Sequence, residues 1–380
     1  MWENLVPILL TMTSSRRKIV LFCGFLLFGL LRVFSQSNSD TFLSTLSFTG
    51  AIHYGLYNAG NPKLQAIIDS RPILGELDIS TQTTGKKSWQ QLGGYPVLGI
   101  GIIYGNSGSR EYIGNLAGIF PFINIALYKK DIFSLNCRLG IGAGWVQKPF
   151  NVETNYENLV IGSHLNACIN LRFTAAFRLA RHLTSDLGIS FTHFSNGSSK
   201  LPNLGLNIPT LTLGLKYTIN PALRMINRSY DPAPKKVNYF LFVSGAVKEA
   251  YPLESATYLV TLFNFEVLKD FSYKGRFGGG LNLTYDPSLS TEVTNSVLYA
   301  FDQSKPKTEV SIYGSYEYVL GKFSLPLQFG VYLYNNYPVE WVYQVIGFRF
   351  RVDNHLILSA GLKTHFFNAD FIQWGIGYKF

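Results

Sequence analysis

The chain of 380 residues is 47% hydrophobic and 15% aromatic yet only 15% charged, against roughly a quarter in an average soluble domain, and its formal net charge is +10. That balance excludes a disordered chain, a coiled coil and a disulfide-rich miniature. It also fits a soluble helical enzyme poorly, because the abundant residues (29 Phe, 23 Tyr, 35 Gly) favour strands and turns while good helix formers are scarce.

The N-terminus reads as an address. Arg16, Arg17 and Lys18 precede an apolar run from Ile19 to Leu31, and Val33 and Ser35 stand where a signal peptidase accepts small side chains. Thirteen apolar residues are too few for a spanning helix. Residues 1–35 are therefore expected to be a cleaved signal peptide, with Met12 an alternative start. Cleavage removes Arg16, Arg17, Lys18, Arg32 and Glu3, leaving +7. The remaining basic residues are scattered, so no nucleic-acid partner is expected; an anionic glycolipid surface fits them better. Cys137 and Cys168 fall in neighbouring expected strands and are close enough in pattern to pair, though nothing requires it.

Beyond the leader, period-two alternation recurs in segment after segment. Leu211, Leu213, Leu215 and Tyr217 interleave with Thr212, Gly214 and Lys216, and Ile346, Phe348, Phe350 and Val352 interleave with Gly347, Arg349 and Arg351. In a membrane barrel the apolar set faces lipid and the polar set faces the bore. The pattern predicts strands near 42–55, 72–83, 95–104, 116–127, 133–146, 165–178, 182–195 and 209–219. A second group follows near 237–249, 255–268, 273–285, 307–319, 322–334, 342–352, 354–365 and 370–380. Short joints at 129–131, 180–181, 321 and 353 alternate with long loops at 147–164, 196–208 and 286–306, as in outer-membrane barrels. The joints 84–94 and 220–236 break that alternation. The chain ends on Ile372, Trp374, Ile376, Tyr378 and Phe380, an apolar face with an aromatic terminus.

The expected fold is all-β: a transmembrane antiparallel β-barrel of about 16 strands in one ring, favoured by the single terminal assembly signal, with two tandem eight-stranded barrels as the alternative. The expected divisions are 36–220, 221–236 as linker, and 237–380 as a second, degenerate half. Four echoes point to duplication. Leu46–Ile52 matches Leu241–Val247, and Phe133-Ser-Leu135 matches Phe323-Ser-Leu325. His182-Leu183 matches His355-Leu356, and Gly214–Tyr217 matches Gly375–Tyr378.

No phosphate-cradling loop, CxxC, HExxH or GxSxG is present, and the six histidines have no metal-ligand spacing, so neither cofactor nor metal is expected. His53, His164, His182 and His355 read as interfacial or lumen residues. The informative stretch is His193-Phe-Ser195-Asn196-Gly197, followed ten residues later by Asn207. Residues two apart on a strand share a face, so an imidazole and a hydroxyl project side by side. Such a base can take the hydroxyl proton as the oxygen attacks an acyl carbon, provided a third group orients the ring. Asn207 supplies an amide for that purpose, and Asn196 with Gly197 can turn backbone N–H groups toward an oxyanion. Counting by twos puts His193, Ser195 and Asn207 on the apolar parity, facing lipid at the long-loop end. The bland alternative is an Asn-Gly turn in an outer loop of a non-catalytic channel or structural barrel. A porin should show a charged constriction, whereas few inward charges are expected here. Lys200 is either a contact for a lipid phosphate or a solvated loop charge.

His193-Phe-Ser195-Asn-Gly197, Pro202-Asn203-Leu-Gly205 and Asn207 together resemble the signature of the outer-membrane lipid A 3-O-deacylases (the PagL-like, acyloxyacyl hydrolase family). The resemblance spans about 25 residues. It implies an eight-stranded barrel in the bacterial outer membrane whose serine esterase site removes an ester-linked acyl chain from lipid A or lipopolysaccharide without a cofactor. Ser195 matches the nucleophile, His193 the general base, and Asn196 and Gly197 the oxyanion segment. The family's acidic triad member falls at Asn207, a departure that weakens stabilisation of the imidazolium. The second half has Phe367 in the nucleophile's place and is expected to be silent.

Overall fold

A computed structural model describes residues 45–56, 62–221, 224–227, 235–250, 256–289, 307–335, 341–366 and 368–380. The expected signal peptide and Phe367 lie outside them. The described residues form sixteen antiparallel strands. The first eight are β1 (Leu46–Gly55), β2 (Ile73–Gln82), β3 (Val97–Asn106), β4 (Asn115–Lys130), β5 (Phe133–Val146), β6 (Leu165–Arg178), β7 (Leu183–Ser195) and β8 (Leu206–Thr218). The second eight are β9 (Val237–Glu249), β10 (Thr257–Ser272), β11 (Gly275–Tyr285), β12 (Thr308–Leu320), β13 (Phe323–Tyr334), β14 (Val342–Arg351), β15 (Leu356–His365) and β16 (Asn368–Lys379). Two short helical turns, α1 (Pro62–Gln65) and α2 (Ser88–Leu92), sit in the joints after β1 and β2.

The strands close as two rings, which corrects the expectation of one 16-stranded ring. β8 returns to β1, with Ser47 opposite Thr218 and Gly55 opposite Thr210. β16 likewise returns to β9, with Trp374 opposite Gly245. Bore filling explains the choice, because an eight-stranded bore is just wide enough for side chains to pack it. In the first ring Arg138 on β5 reaches across to Glu76 (2.7 Å) and Asp78 (2.9 Å) on β2, and to Asn170 (2.6 Å). Arg172 joins Glu76 from β6, and His53 closes the cluster on Thr212 at 2.9 Å. The second ring repeats the device with Arg349, 2.6 Å from Glu266 and 3.1 Å from Glu317. A 16-stranded ring would pull these partners apart and leave their charges facing an open channel. The inward faces therefore carry more charge than the strand pattern suggests, and that charge is paired inside filled bores.

The outer wall is apolar: Leu77 is 71% exposed, Ile52 64% and Leu213 60%, a continuous surface suited only to lipid. Cys137 lies opposite Phe173 on β6, whereas Cys168 lies opposite Gly142; they occupy separate registers and are both free thiols. The four echoes fall on equivalent strands of the two rings. The best preserved is His182, which stacks on Tyr217 (5.8 Å) and bonds Thr218 O, as His355 stacks on Tyr378 (5.3 Å) and bonds Lys379 O.

Because the ion network in each bore is confined to one ring, each ring should lose stability separately. Arg349→Met leaves buried Glu266 without its cation and takes the nearer of two from Glu317, a change that costs about 3–5 kcal/mol. It is expected to lower the urea midpoint of the second barrel in proteolysis-monitored unfolding while leaving the first barrel's midpoint unmoved.

Candidate active site

β7 carries the site because its alternation runs from Leu187 to Phe194, next to its last residue. Leu187, Ile189 and Phe191 are exposed on the outer wall, while Ser190, Thr192 and Phe194 are buried inward. Phe194 is fully buried in an apolar plug with Phe120, Leu206, Ile208, Val160 and Ile161 at the long-loop end of the bore. Anchoring Phe194 inward forces its neighbours His193 and Ser195 outward. His193 pairs in register with Asn207 on β8 and with Ile169 on β6, and Ser195 sits beside Ala167.

The register opposition brings His193 Nδ1 to 2.6 Å from Asn207 Oδ1. An amide oxygen can only accept, so this contact places the proton on Nδ1 and leaves the Nε2 lone pair available. Ser195 lies on the same face but is buried, at 6% exposure, under the β7–β8 loop. Its hydrogen bonds run to that loop and not to His193. The hydroxyl donates to Asn203 Oδ1 (3.2 Å), and it accepts from Asn203 Nδ2 (3.0 Å) and from the Gly197 N–H (3.2 Å).

The loop has a defined shape. Gly197 (φ 59°), Ser198 (φ 60°) and Gly205 (φ 75°) adopt left-handed backbone, an unusual conformation for the serine. At Gly205 a side chain would stand 2.8 Å from His193 Cε1, so only glycine lets the loop return past the imidazole. Asn196 organises the turn. Its Nδ2 donates to Ser163 Oγ and to Lys200 O, both at 2.8 Å, and its own N–H donates to Asn203 Oδ1 at 3.1 Å. Of the two backbone donors expected at an oxyanion, the Gly197 N–H is beside Ser195 Oγ, whereas that of Asn196 is committed to Asn203. Lys200 Nζ is 3.1 Å from Glu249 Oε1 on the second barrel, so it is a paired charge.

Ser195, His193, Asn207 and Gly197 thus converge at one end of one outer face. Sequence reasoning assigned no role to Asn203, the side chain nearest the hydroxyl, because an aperiodic loop gives no direction to its side chains. In the second ring His365 turns inward, with its Nε2 2.8 Å from Tyr332 OH. The remaining histidines divide as the pattern suggests, His53 in the bore and His164, His182 and His355 on strand-end carbonyls.

Among known proteins, residues 75–216 match the family described as lipid A 3-O-deacylase (PagL), and residues 237–380 match the acyloxyacyl hydrolase C-terminal domain. No curated protein matches the chain. Similar solved structures include the outer-membrane enzyme PagL, at 18% identity over 46% of this chain and 99% of that one, with a TM-score of 0.30. Neisserial surface protein A is similar at 9% identity over 46% of this chain and 97% of its own, with the same TM-score of 0.30. A mutant Rh. blastica porin is similar at 9% identity over 88% of this chain and 99% of its own, with a TM-score of 0.17. The two family matches abut at the linker, take in most of the chain and each span the greater part of one ring; the chain belongs to the outer-membrane lipid A 3-O-deacylase (PagL) family.

Proposed function

We propose that the first barrel is a serine esterase that removes an ester-linked acyl chain from lipid A in the outer leaflet of the bacterial outer membrane. The observation that carries this reading is the placement of Ser195, His193 and Asn207 on the lipid-facing side of β7 and β8, at the long-loop end. A hydroxyl there meets acyl esters of membrane lipid, whereas one in the bore would meet solute. The filled bores support the same reading, since paired charges occupy the space a passive channel needs.

The chemistry follows from the contacts. The mechanism requires Ser195 Oγ to exchange Asn203 for His193 as its partner, by a change of staggered well. Ser195 Oγ attacks the ester carbonyl as His193 Nε2 takes its proton, and Asn207 Oδ1 holds the opposite N–H in place. The tetrahedral oxyanion receives hydrogen bonds from the Gly197 N–H and Asn203 Nδ2, the two donors already aimed at the serine. Collapse expels the sugar oxygen, which takes the proton from His193. Water then attacks the acyl-enzyme with His193 again as base, and the fatty acid leaves. Asn196 shapes the loop through Ser163 and Lys200.

Mass spectrometry of lipid A from cells expressing the full chain should show loss of one acyl chain. Ser195→Ala should restore the parent mass, with a rate at least about 10³-fold lower in detergent micelles; an unchanged acyl pattern in both would point to a non-catalytic barrel. Asn203→Ala removes a donor that bonds the serine hydroxyl and that this mechanism turns to the oxyanion, and should lower kcat about 10²-fold. Asn207→Asp, nearly isosteric, exchanges a neutral for a charge-assisted hydrogen bond to the developing imidazolium and should raise kcat about tenfold. Initial rates of fatty-acid release check both.

A further inference from the structure

The loop that touches Ser195 is anchored on the second barrel. Glu249, the last residue of β9, is buried at 4% exposure, and both its carboxylate oxygens face the first barrel. Oε2 accepts from the Leu201 N–H at 2.8 Å and Oε1 from Lys200 Nζ at 3.1 Å. The Glu249 backbone N–H donates to Ser198 O at 2.9 Å, and Ser198 Oγ donates to Ala369 O on β16 at 2.9 Å. A side chain at Gly197 would collide with Ile372, also on β16. This rim is itself fixed, because Lys248 and Asp370, each next in sequence to an anchor residue, pair inside the ring at 2.7 Å.

The two groups that reach the Ser195 hydroxyl are Gly197 and Asn203. Gly197 is one residue from Ser198 and Asn203 is two from Leu201, so each arm of the loop is tied down beside the atom that meets the serine. Ser198 holds a left-handed backbone that a serine does not favour alone, and its carbonyl and hydroxyl are both held by the neighbouring ring. We propose that Glu249 is a positioning residue for Ser195: the second barrel completes the first barrel's site by holding the 196–203 loop.

The inference rests on Ser195 being the nucleophile, so the experiment has two arms. Both use the full chain in detergent micelles. With lipopolysaccharide as substrate, Glu249→Ala is expected to lower kcat about 10- to 100-fold with KM little changed, since displaced groups no longer meet the reacting oxygen. Glu249→Gln keeps an acceptor for the Leu201 N–H and should recover most of the rate. Glu249→Asp draws the carboxylate back from that N–H and serves if the alanine variant does not fold. The second arm, amide hydrogen exchange, needs no turnover: protection at Gly197 and Leu201 should fall in Glu249→Ala, and protection at Leu201 should persist in Ser195→Ala. Wild-type kcat in a folded Glu249→Ala, or unchanged protection of the loop, overturns the proposal. If the unaltered chain releases no fatty acid while Glu249→Ala still loses protection, the esterase reading fails and the anchoring stands.

Discussion

Closure at eight strands is the constraint from which the rest follows. In a hydrocarbon surround every backbone donor and acceptor must be paired within the protein, so a sheet must meet its own first strand. Here that meeting happens twice, at β1–β8 and at β9–β16. A ring so narrow cannot hold water-filled space, and its inward residues must pack against one another. Charged side chains are tolerated there because each finds an opposite charge across the bore, as Arg138 finds Glu76 and Arg349 finds Glu266. With the interior committed to stability, chemistry is left to the outside wall and the long loops.

The site illustrates how little is needed once the scaffold is rigid. Strand register alone sets His193 against Asn207, and the buried ring of Phe194 aims His193 and Ser195 away from the bore. What remains is to hold Ser195 and its donors in one geometry, and the β7–β8 loop does this through Asn203 and Asn196. The neutral amide at Asn207 orients the imidazole while giving its cation less support than a carboxylate would. The rim of the second barrel meets the loop at Glu249 and Ala369.

Much of this was legible in the chain because lipid and bore impose opposite demands on alternate residues. The parity of Leu187, Ile189 and Phe191 puts His193 and Ser195 on the outward set of β7. The ring count was not legible. The pairing of Ser47 with Thr218 joins residues far apart in sequence, and no local pattern states where a sheet closes. The inward charges were visible as letters, but a glutamate on β2 and an arginine on β5 become partners only after the ring has formed. The same holds for the possible disulfide: neighbouring strands do contain Cys137 and Cys168, yet the register sets them five positions apart. Asn203 and Glu249 were hidden for a further reason, since one lies in an aperiodic loop and the other reaches that loop from a different ring.

Each ring has an even number of strands, so the chain enters and leaves that ring at the same end of it. An odd-stranded unit copied in tandem would emerge upside down relative to its parent, its loops on the wrong side of the bilayer. An even-stranded one can be concatenated without inversion, each copy inheriting the orientation of the last. Duplication of this architecture thus yields siblings whose loop-bearing ends stand level, where one can lose its chemistry and become a neighbour to the other.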